Sequence, residues 1–235
     1  MTGFSDKKFG LIGKNLEHSY SVPIHKMLAD YDYRLYPTSP ENLGNVIEEA
    51  ELDGFNVTIP YKQSIFGLCD AVSSAAKEIG AVNTVRITSN GGIYGYNTDV
   101  FGFEYTLDSM NLDVEGKKVL VLGNGGASKA VCYVLKQRNA IYKVISRKGE
   151  DNYTNIYENS DTEIIVNATP VGMYPKTDGK LIELARFPDL CAVIDLIYNP
   201  MRTPLLAEAE KLGISHMNGL PMLVAQAKNS AELFT

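Results

Sequence analysis

Lys118-Val-Leu-Val-Leu-Gly123-Asn-Gly125-Gly126-Ala-Ser128-Lys-Ala130 is the stretch that decides the fold. Five residues that read as an apolar strand run into a glycine turn, and a helix-forming run follows. In that order, the first glycine permits the tight turn and the second lets the backbone come close to a pyrophosphate. The free N–H groups and the positive dipole end of the following helix then face the phosphates. Ser128 stands where the third position of the G-x-G-x-x-G pattern carries Gly or Ala, so the fit is near rather than complete. Alone, these residues also describe a plain strand-to-helix turn. Their place between a strand and a helix favours dinucleotide binding.

The next strand sharpens the reading. A site for an unphosphorylated ribose places Asp or Glu about 20 residues further on. Here Lys143-Val-Ile-Ser146 leads into Arg147-Lys148, and no acid follows until Glu150. Two cations suit a 2′-phosphate, which Arg147 could bind bidentately while its plane also suits stacking on adenine. Taken alone the pair also reads as a solvated basic turn. With the glycine loop it favours NADP over NAD.

Working outward, the loop opens a βα series with strands expected at 118–122, 143–146, 163–167, 192–196 and 214–216. Before it, strands are expected at 9–13, 32–36, 55–59, 82–87 and 92–96, with helices at 22–29 and 41–52, where apolar residues recur at helical spacing. Asn90-Gly91-Gly92 is a hairpin signal. Residues 98–111 read as a helix joining the two series, with Asp99 in its first turn. Strands alternating with helices imply parallel sheets that take ligands at the strands' carboxyl ends. The expected fold class is α/β, in two domains with a cleft between them.

Composition narrows the function classes. The 235 residues are 45% hydrophobic and 21% charged, ordinary for a globular chain, and the net charge is −6. That charge argues against a protein that coats nucleic acid, where phosphate neutralisation dominates binding. The 14 tyrosines are scattered and form no stacking platform. No apolar run approaches the ~20 residues of a membrane span, and the first residues lack the apolar core of a signal peptide. Cys69, Cys132 and Cys191 are widely spaced and never C-x-x-C, so neither a disulfide framework nor a metal site is expected. They read as core packing in a reducing cytoplasm.

Several first-half motifs carry polar groups that a core does not require. Ser19 and Ser21, in His18-Ser-Tyr-Ser21, present two hydroxyls on one side of an extended segment, although Ser21 could simply cap a helix. Asn56-Val-Thr58-Ile-Pro-Tyr-Lys62 brings Thr58 and Lys62 to a strand end, and Asn97-Thr-Asp99 opens the joining helix, where Asp99 also suits the dipole. His18, His25 and His216 are left without a catalytic role, His25 as a packed or helix-surface residue.

Together these pieces resemble the shikimate dehydrogenase family. Gly10-Leu-Ile-Gly13, His18–Ser21, Gly54–Lys62, Gly80-Ala-Val-Asn83-Thr-Val85 and Gly95-Tyr-Asn97-Thr-Asp99 stand in the family's order. So do 123–127, Asn167-Ala-Thr-Pro-Val-Gly-Met173, Asp195-Leu-Ile-Tyr198-Asn-Pro200 and Gly219-Leu-Pro-Met-Leu-Val-Ala-Gln226-Ala227. The resemblance implies reversible NADPH-dependent reduction of 3-dehydroshikimate to shikimate, a step of chorismate and aromatic amino-acid biosynthesis. It implies a substrate-binding domain of residues 1–100 plus 219–235 and a Rossmann-like NADP-binding domain of residues 101–218.

By the same resemblance, Ser19 and Ser21 would hold the substrate carboxylate, and Thr58, Asn83, Asp99 and Gln226 the ring hydroxyls. Lys62 would stand beside the reacting hydroxyl with Asp99 as its catalytic partner, and Tyr198 would touch substrate. Gly123, Asn124, Gly125, Gly126 and Ala127 would cradle the pyrophosphate. Ser146, Arg147 and Lys148 would surround the 2′-phosphate, and Leu196 and Gly219 would line the nicotinamide end. A cytoplasmic monomer or homodimer is expected, with no metal, nucleic-acid or membrane partner. Two alternatives remain: a quinate/shikimate dehydrogenase that uses NAD, and a non-catalytic dinucleotide-binding regulatory protein. The chain departs from the family pattern at Asn15-Leu16, Val22 and Ser146, and in the short polar stretch 149–161 where relatives carry a longer helix.

Overall fold

Eleven strands among the described residues, 6–235 of a computed structural model, fall into two sheets. The first contains Lys8–Gly13 (β1), Asp32–Pro37 (β2), Gly54–Val57 (β3), Ala71–Val72 (β4), Thr84–Ile87 (β5) and Ile93–Tyr96 (β6) in the order β2-β1-β3-β5-β6-β4. β1 runs parallel to β2 and β3, whereas β5 is antiparallel to both β3 and β6. The sheet is therefore mixed, not parallel throughout. The reason is local: β5 and β6 are joined by the Asn90-Gly91-Gly92 turn, with Gly91 at φ 83°, and a hairpin can only make antiparallel neighbours.

Helices connect these strands: Ser21–Leu28 (α1), Leu43–Glu49 (α2), Lys62–Phe66 (α3) and Ser74–Ile79 (α4). α4 carries full end signals. Ser73 accepts from the Ala76 N–H at its start, and Gly80 closes it in the left-handed region at φ 68°. Ile12, Phe55, Val57, Tyr61, Ile65 and Val85 pack as one buried cluster. Phe9, Leu11, Tyr31 and Tyr33 form another with Ala231 and Phe234 of the last helix, and the Phe9 and Phe234 rings stack at 4.5 Å.

The second sheet is parallel throughout, in the order β11-β10-β9-β7-β8. Its members are Lys118–Leu122 (β7), Ile141–Ile145 (β8), Ile164–Asn167 (β9), Ala192–Asp195 (β10) and Ser215–Met217 (β11). β9 and β10 are buried along their whole length, as covering a parallel sheet on both faces requires. Asp99–Ser109 (α5), Gly126–Gln137 (α6), Pro204–Lys211 (α7) and Leu220–Phe234 (α8) complete the chain. α6 buries Ala130, Val131, Val134 and Leu135. In the stretch 149–161 the chain forms only a 3-10 turn at Ile156–Asn159, preceded by Asn-centred turns in which Asn152 accepts from the Thr154 N–H and Asn155 from the Asn152 N–H.

The chain divides into two units, one of Met1–Phe101 with Val224–Thr235 and the other of Gly102–Leu223. Gly219 therefore lies with the second unit. Cys69 and Cys132 are half-buried, but Cys191 is exposed, because it precedes β10 at a chain turn rather than inside the sheet; the packing reading does not hold for it.

Candidate active site

In the first unit, two helix starts place opposite charges side by side. Lys62 is the first residue of α3, after β3, and Asp99 the first of α5, after β6. Lys62 Nζ lies 2.5 Å from Asp99 Oδ2, and their side chains are only 15% and 9% exposed. Asn83 Nδ2 donates to Asp99 Oδ1 at 2.8 Å. The orientation of that amide is forced. The Thr98 backbone N–H, which can only donate, points at Asn83 Oδ1 at 2.7 Å and leaves Nδ2 facing Asp99. Asp99 thus accepts at both oxygens while sitting at a helix N-terminus, and the two readings of this residue coexist.

A chain of buried polar groups supports the array. Tyr33 Oη donates to Asn56 Oδ1, and Asn56 Nδ2 donates to Thr84 Oγ1 at 2.9 Å and to Ser230 Oγ at 2.7 Å. Thr84 and Thr98 hydroxyls each lie 3.2 Å from Asn83 Oδ1, and Thr98 Oγ1 is 3.4 Å from Gln226 Oε1. Sequence reasoning named Asn83, Asp99 and Gln226 but missed Thr84, Thr98, Asn56 and Ser230. The available signal was a polar residue, Asn56, at a wholly buried strand position.

Ser19 and Ser21 bond to each other, Oγ to Oγ at 3.1 Å, and Ser19 Oγ also accepts from the Ser21 N–H. Ser21 is not a cap: it is the first residue of α1, whose N-cap is Tyr20. Thr58 follows β3, and its N–H donates to the Ile12 carbonyl. His25 is buried, stacked on Tyr33 at 3.8 Å, with Nδ1 2.7 Å from Tyr31 Oη and no partner for Nε2. Burial holds its pKa down at about 3. Tyr198 lies in the second unit, apart in the chain from these groups.

In the second unit, Gly123 sits at φ 102°, and a Cβ there would come 2.9 Å from Thr169 Cγ2. Gly125 is the N-cap of α6 with no side chain capping the helix, and a Cβ there would meet nothing within 4 Å. The loop thus leaves an open space in front of helix N–H groups, which suits dinucleotide phosphates. Ser128, the departure from the glycine pattern, closes the loop instead: its Oγ donates to the Gly123 carbonyl at 2.6 Å. Ser146 follows β8, and Arg147 and Lys148 are exposed, with no ion pair to either among the described residues. Asn124, Gly126 and Ala127 complete the turn into α6.

Leu196 and Gly219 meet backbone to side: a Cβ at position 219 would overlap the Leu196 carbonyl. Gly219→Ala is accordingly expected to destabilise the protein by about 1–3 kcal/mol, read as a lower urea midpoint. An unchanged midpoint would show that the segment yields freely. Parallel order, the glycine loop after the interior strand β7 and the following α6 define the second unit as a Rossmann-like domain.

Comparison with known proteins agrees. A family model described as the shikimate dehydrogenase substrate binding domain matches residues 11–85. Shikimate dehydrogenase (NADP(+)) of Methanococcus maripaludis is 38% identical over 97% of this chain and 91% of its own length. Among solved structures, shikimate dehydrogenase 1 of Peptoclostridium difficile superposes with a TM-score of 0.90 at 36% identity, over 97% of this chain and 91% of that one. Shikimate 5-dehydrogenase of Thermus thermophilus, in complex with NADP(H) and shikimate, gives a TM-score of 0.89 at 30% identity, over 97% and 93%. The chain belongs to the shikimate dehydrogenase family.

Proposed function

We propose that this protein is an NADP-dependent shikimate dehydrogenase, an oxidoreductase acting on a CH–OH group that reversibly reduces 3-dehydroshikimate to shikimate for chorismate and aromatic amino-acid synthesis. The observation that carries the reading is the Lys62–Asp99–Asn83 array, a cation held by a carboxylate that an amide donor orients, in a chain that also carries the open phosphate loop. A nicotinamide dinucleotide supplies or removes the hydride when bound. The rest falls to the protein. In the reducing direction the Lys62 ammonium stabilises the developing alkoxide and has a proton to give at Nζ. In the oxidising direction Nζ receives it. Asp99 holds the ammonium in place, and Asn83 holds Asp99.

Most of the substrate-binding role goes to the first unit. Ser19 and Ser21 offer hydroxyl donors to the carboxylate, and Thr58, Asn83, Asp99 and Gln226 offer partners to the ring hydroxyls, with Tyr198 as a further substrate contact. The cofactor role goes to the second unit. Gly123, Asn124, Gly125, Gly126 and Ala127 serve the pyrophosphate, Ser146, Arg147 and Lys148 the 2′-phosphate, and Leu196 and Gly219 the nicotinamide end. A cytoplasmic enzyme fits this reading; among the described residues no helix is long and apolar enough to cross a membrane.

The test follows absorbance of reduced nicotinamide when the protein meets shikimate or quinate with NADP or NAD. Signal with shikimate and NADP is expected. Signal only with quinate and NAD would select the quinate/shikimate alternative, and none at all would leave a dinucleotide-binding protein. Arg147→Ala is expected to weaken NADP binding by ~10–100-fold, the worth of a charge-assisted hydrogen bond, while leaving NAD nearly unchanged. Equal losses for both would show that Arg147 does not read the 2′-phosphate.

A further inference from the structure

The second unit contains a buried carboxylate that no step above uses. Asp195, the last residue of β10, is fully buried. Its Oδ1 accepts from Asn167 Nδ2 at 3.0 Å and from the Ile197 N–H at 3.1 Å, and its Oδ2 accepts from Thr203 Oγ1 at 2.6 Å. Each donor governs a different segment. Asn167 ends the neighbouring β9, and its Oδ1 accepts from both the N–H and the hydroxyl of Thr169, at 3.0 and 2.7 Å. Thr169 is the residue whose methyl stands against Gly123 of the phosphate loop. Ile197 lies between Leu196 and Tyr198, and the Leu196 N–H is itself bonded to the Asn167 carbonyl at 2.9 Å. Thr203 caps α7, accepting from the Leu206 N–H.

Burial of Asp195 outweighs its three hydrogen bonds and pushes its pKa up to about 6, so holding it ionised at neutral pH opposes folding. What it does achieve is geometric. One acceptor group at a strand end sets the 167–169 and 196–198 segments relative to each other, at the carboxyl ends of adjacent parallel strands where such sheets take their ligands.

We infer that Asp195 is a positioning residue for the dinucleotide site, locking the segment that abuts Gly123 to the segment carrying Leu196 and Tyr198. This rests on the cofactor role proposed for the second unit. Asp195→Asn is the sharpest probe. An amide oxygen facing Asn167 and Ile197 turns its NH2 toward Thr203, whose hydroxyl then loses its acceptor. Flipped, the amide sets donors against donors.

The experiment measures NADPH binding by nicotinamide fluorescence, thermal midpoint, and amide hydrogen exchange of the cofactor-free protein. Asp195→Asn is expected to raise the NADPH Kd at least tenfold and to speed exchange at Ile197 and Thr169 at least tenfold, with the midpoint not lowered. An unchanged Kd overturns the inference. So does a lowered midpoint with the folded fraction binding normally, which is what a merely structural role produces. Asn167→Ala removes the side chain that joins Asp195 to Thr169 while leaving the Ile197 and Thr203 bonds to Asp195, and is expected to raise the Kd at least threefold. It decides the matter if Asp195→Asn does not fold, an unchanged Kd again overturning the inference. Wild-type protein that binds NADPH but does not oxidise shikimate sinks the substrate reading alone; wild-type protein that binds no NADPH sinks the cofactor role and this inference with it.

Discussion

Lys62→Ala is expected to lower kcat by ~10²–10⁴-fold, the range for losing a positioned general acid, with the KM for shikimate little changed. The expectation follows from where the ammonium sits. Nζ is 2.5 Å from Asp99 in a pocket that leaves the lysine side chain 15% exposed. Its backbone is fixed as well, since the Lys62 carbonyl accepts from the Val82 N–H at 2.8 Å. The group is therefore placed, not tethered loosely. A loss confined to kcat assigns Lys62 to the developing alkoxide; a loss confined to KM assigns it to substrate positioning. Preserved turnover would remove Lys62 from the mechanism. Removing the cation also leaves Asp99 with one partner in a half-dry site, so assays belong well below a lowered melting temperature. Lys62→Arg should not restore the rate, because a planar guanidinium places its donors elsewhere.

The second large effect is on stability in acid. His25 is buried with a pKa near 3, against an unperturbed value of 6.5. Above pH 6.5 the folded and unfolded chains both hold it neutral. As pH falls below 6.5 the unfolded chain takes up a proton that the folded one refuses until about pH 3, so stability is lost across that window. At pH 4.5 the loss from this group is about 3 kcal/mol. Asp195 works with the opposite sign: raised to about 6, it favours the folded state increasingly as pH drops from 6 toward 4. The total pH dependence mixes these with the carboxylates held low, among them Glu41, Asp161 and Glu163, and the variant isolates one group. Urea unfolding of His25→Phe, which keeps a ring against Tyr33, should lose about 3 kcal/mol less than wild type between pH 7 and 4.5. Parallel curves would show that His25 is not the acid-sensitive group.

How much was legible depends on what each feature needs from its neighbours in sequence. β7 lies at Lys118–Leu122 as read, because an unbroken apolar run between a lysine and a glycine turn is self-contained information. Its neighbour β8 begins two residues before the reading, at Ile141, where exposed Ile and Lys blur the pattern of an edge strand. Between Lys62 and Ile79 two helices and a two-residue strand went unread, since five or six residues are too few to show a period.

The site divides the same way. Lys62, Asn83 and Asp99 stand out as polar residues at strand ends inside recognisable motifs. The donors that orient them do not. That the Thr98 backbone N–H turns the Asn83 amide is a fact of three dimensions, and Asn56 finds Ser230 across 174 positions of chain. Ser128 and Asp195 are similar cases: one looked like a blemish in a glycine pattern and the other like a strand-end acid. The Ser128 bond to Gly123 and the three bonds to Asp195 exist only once the loops close around them.

The bond between Asn56 and Ser230, and the stacking of Phe9 on Phe234, also bear on the order in which the molecule can assemble. A chain made from its N-terminus has β1, β3 and β5 in hand early, yet Asn56 and Phe9 lack these α8 partners until the last helix is synthesised. Every residue of the second unit appears before then. The later-made domain is thus the first able to finish folding during synthesis, and the unit that carries Lys62 waits, the apolar face of its sheet open, for the last helix to arrive.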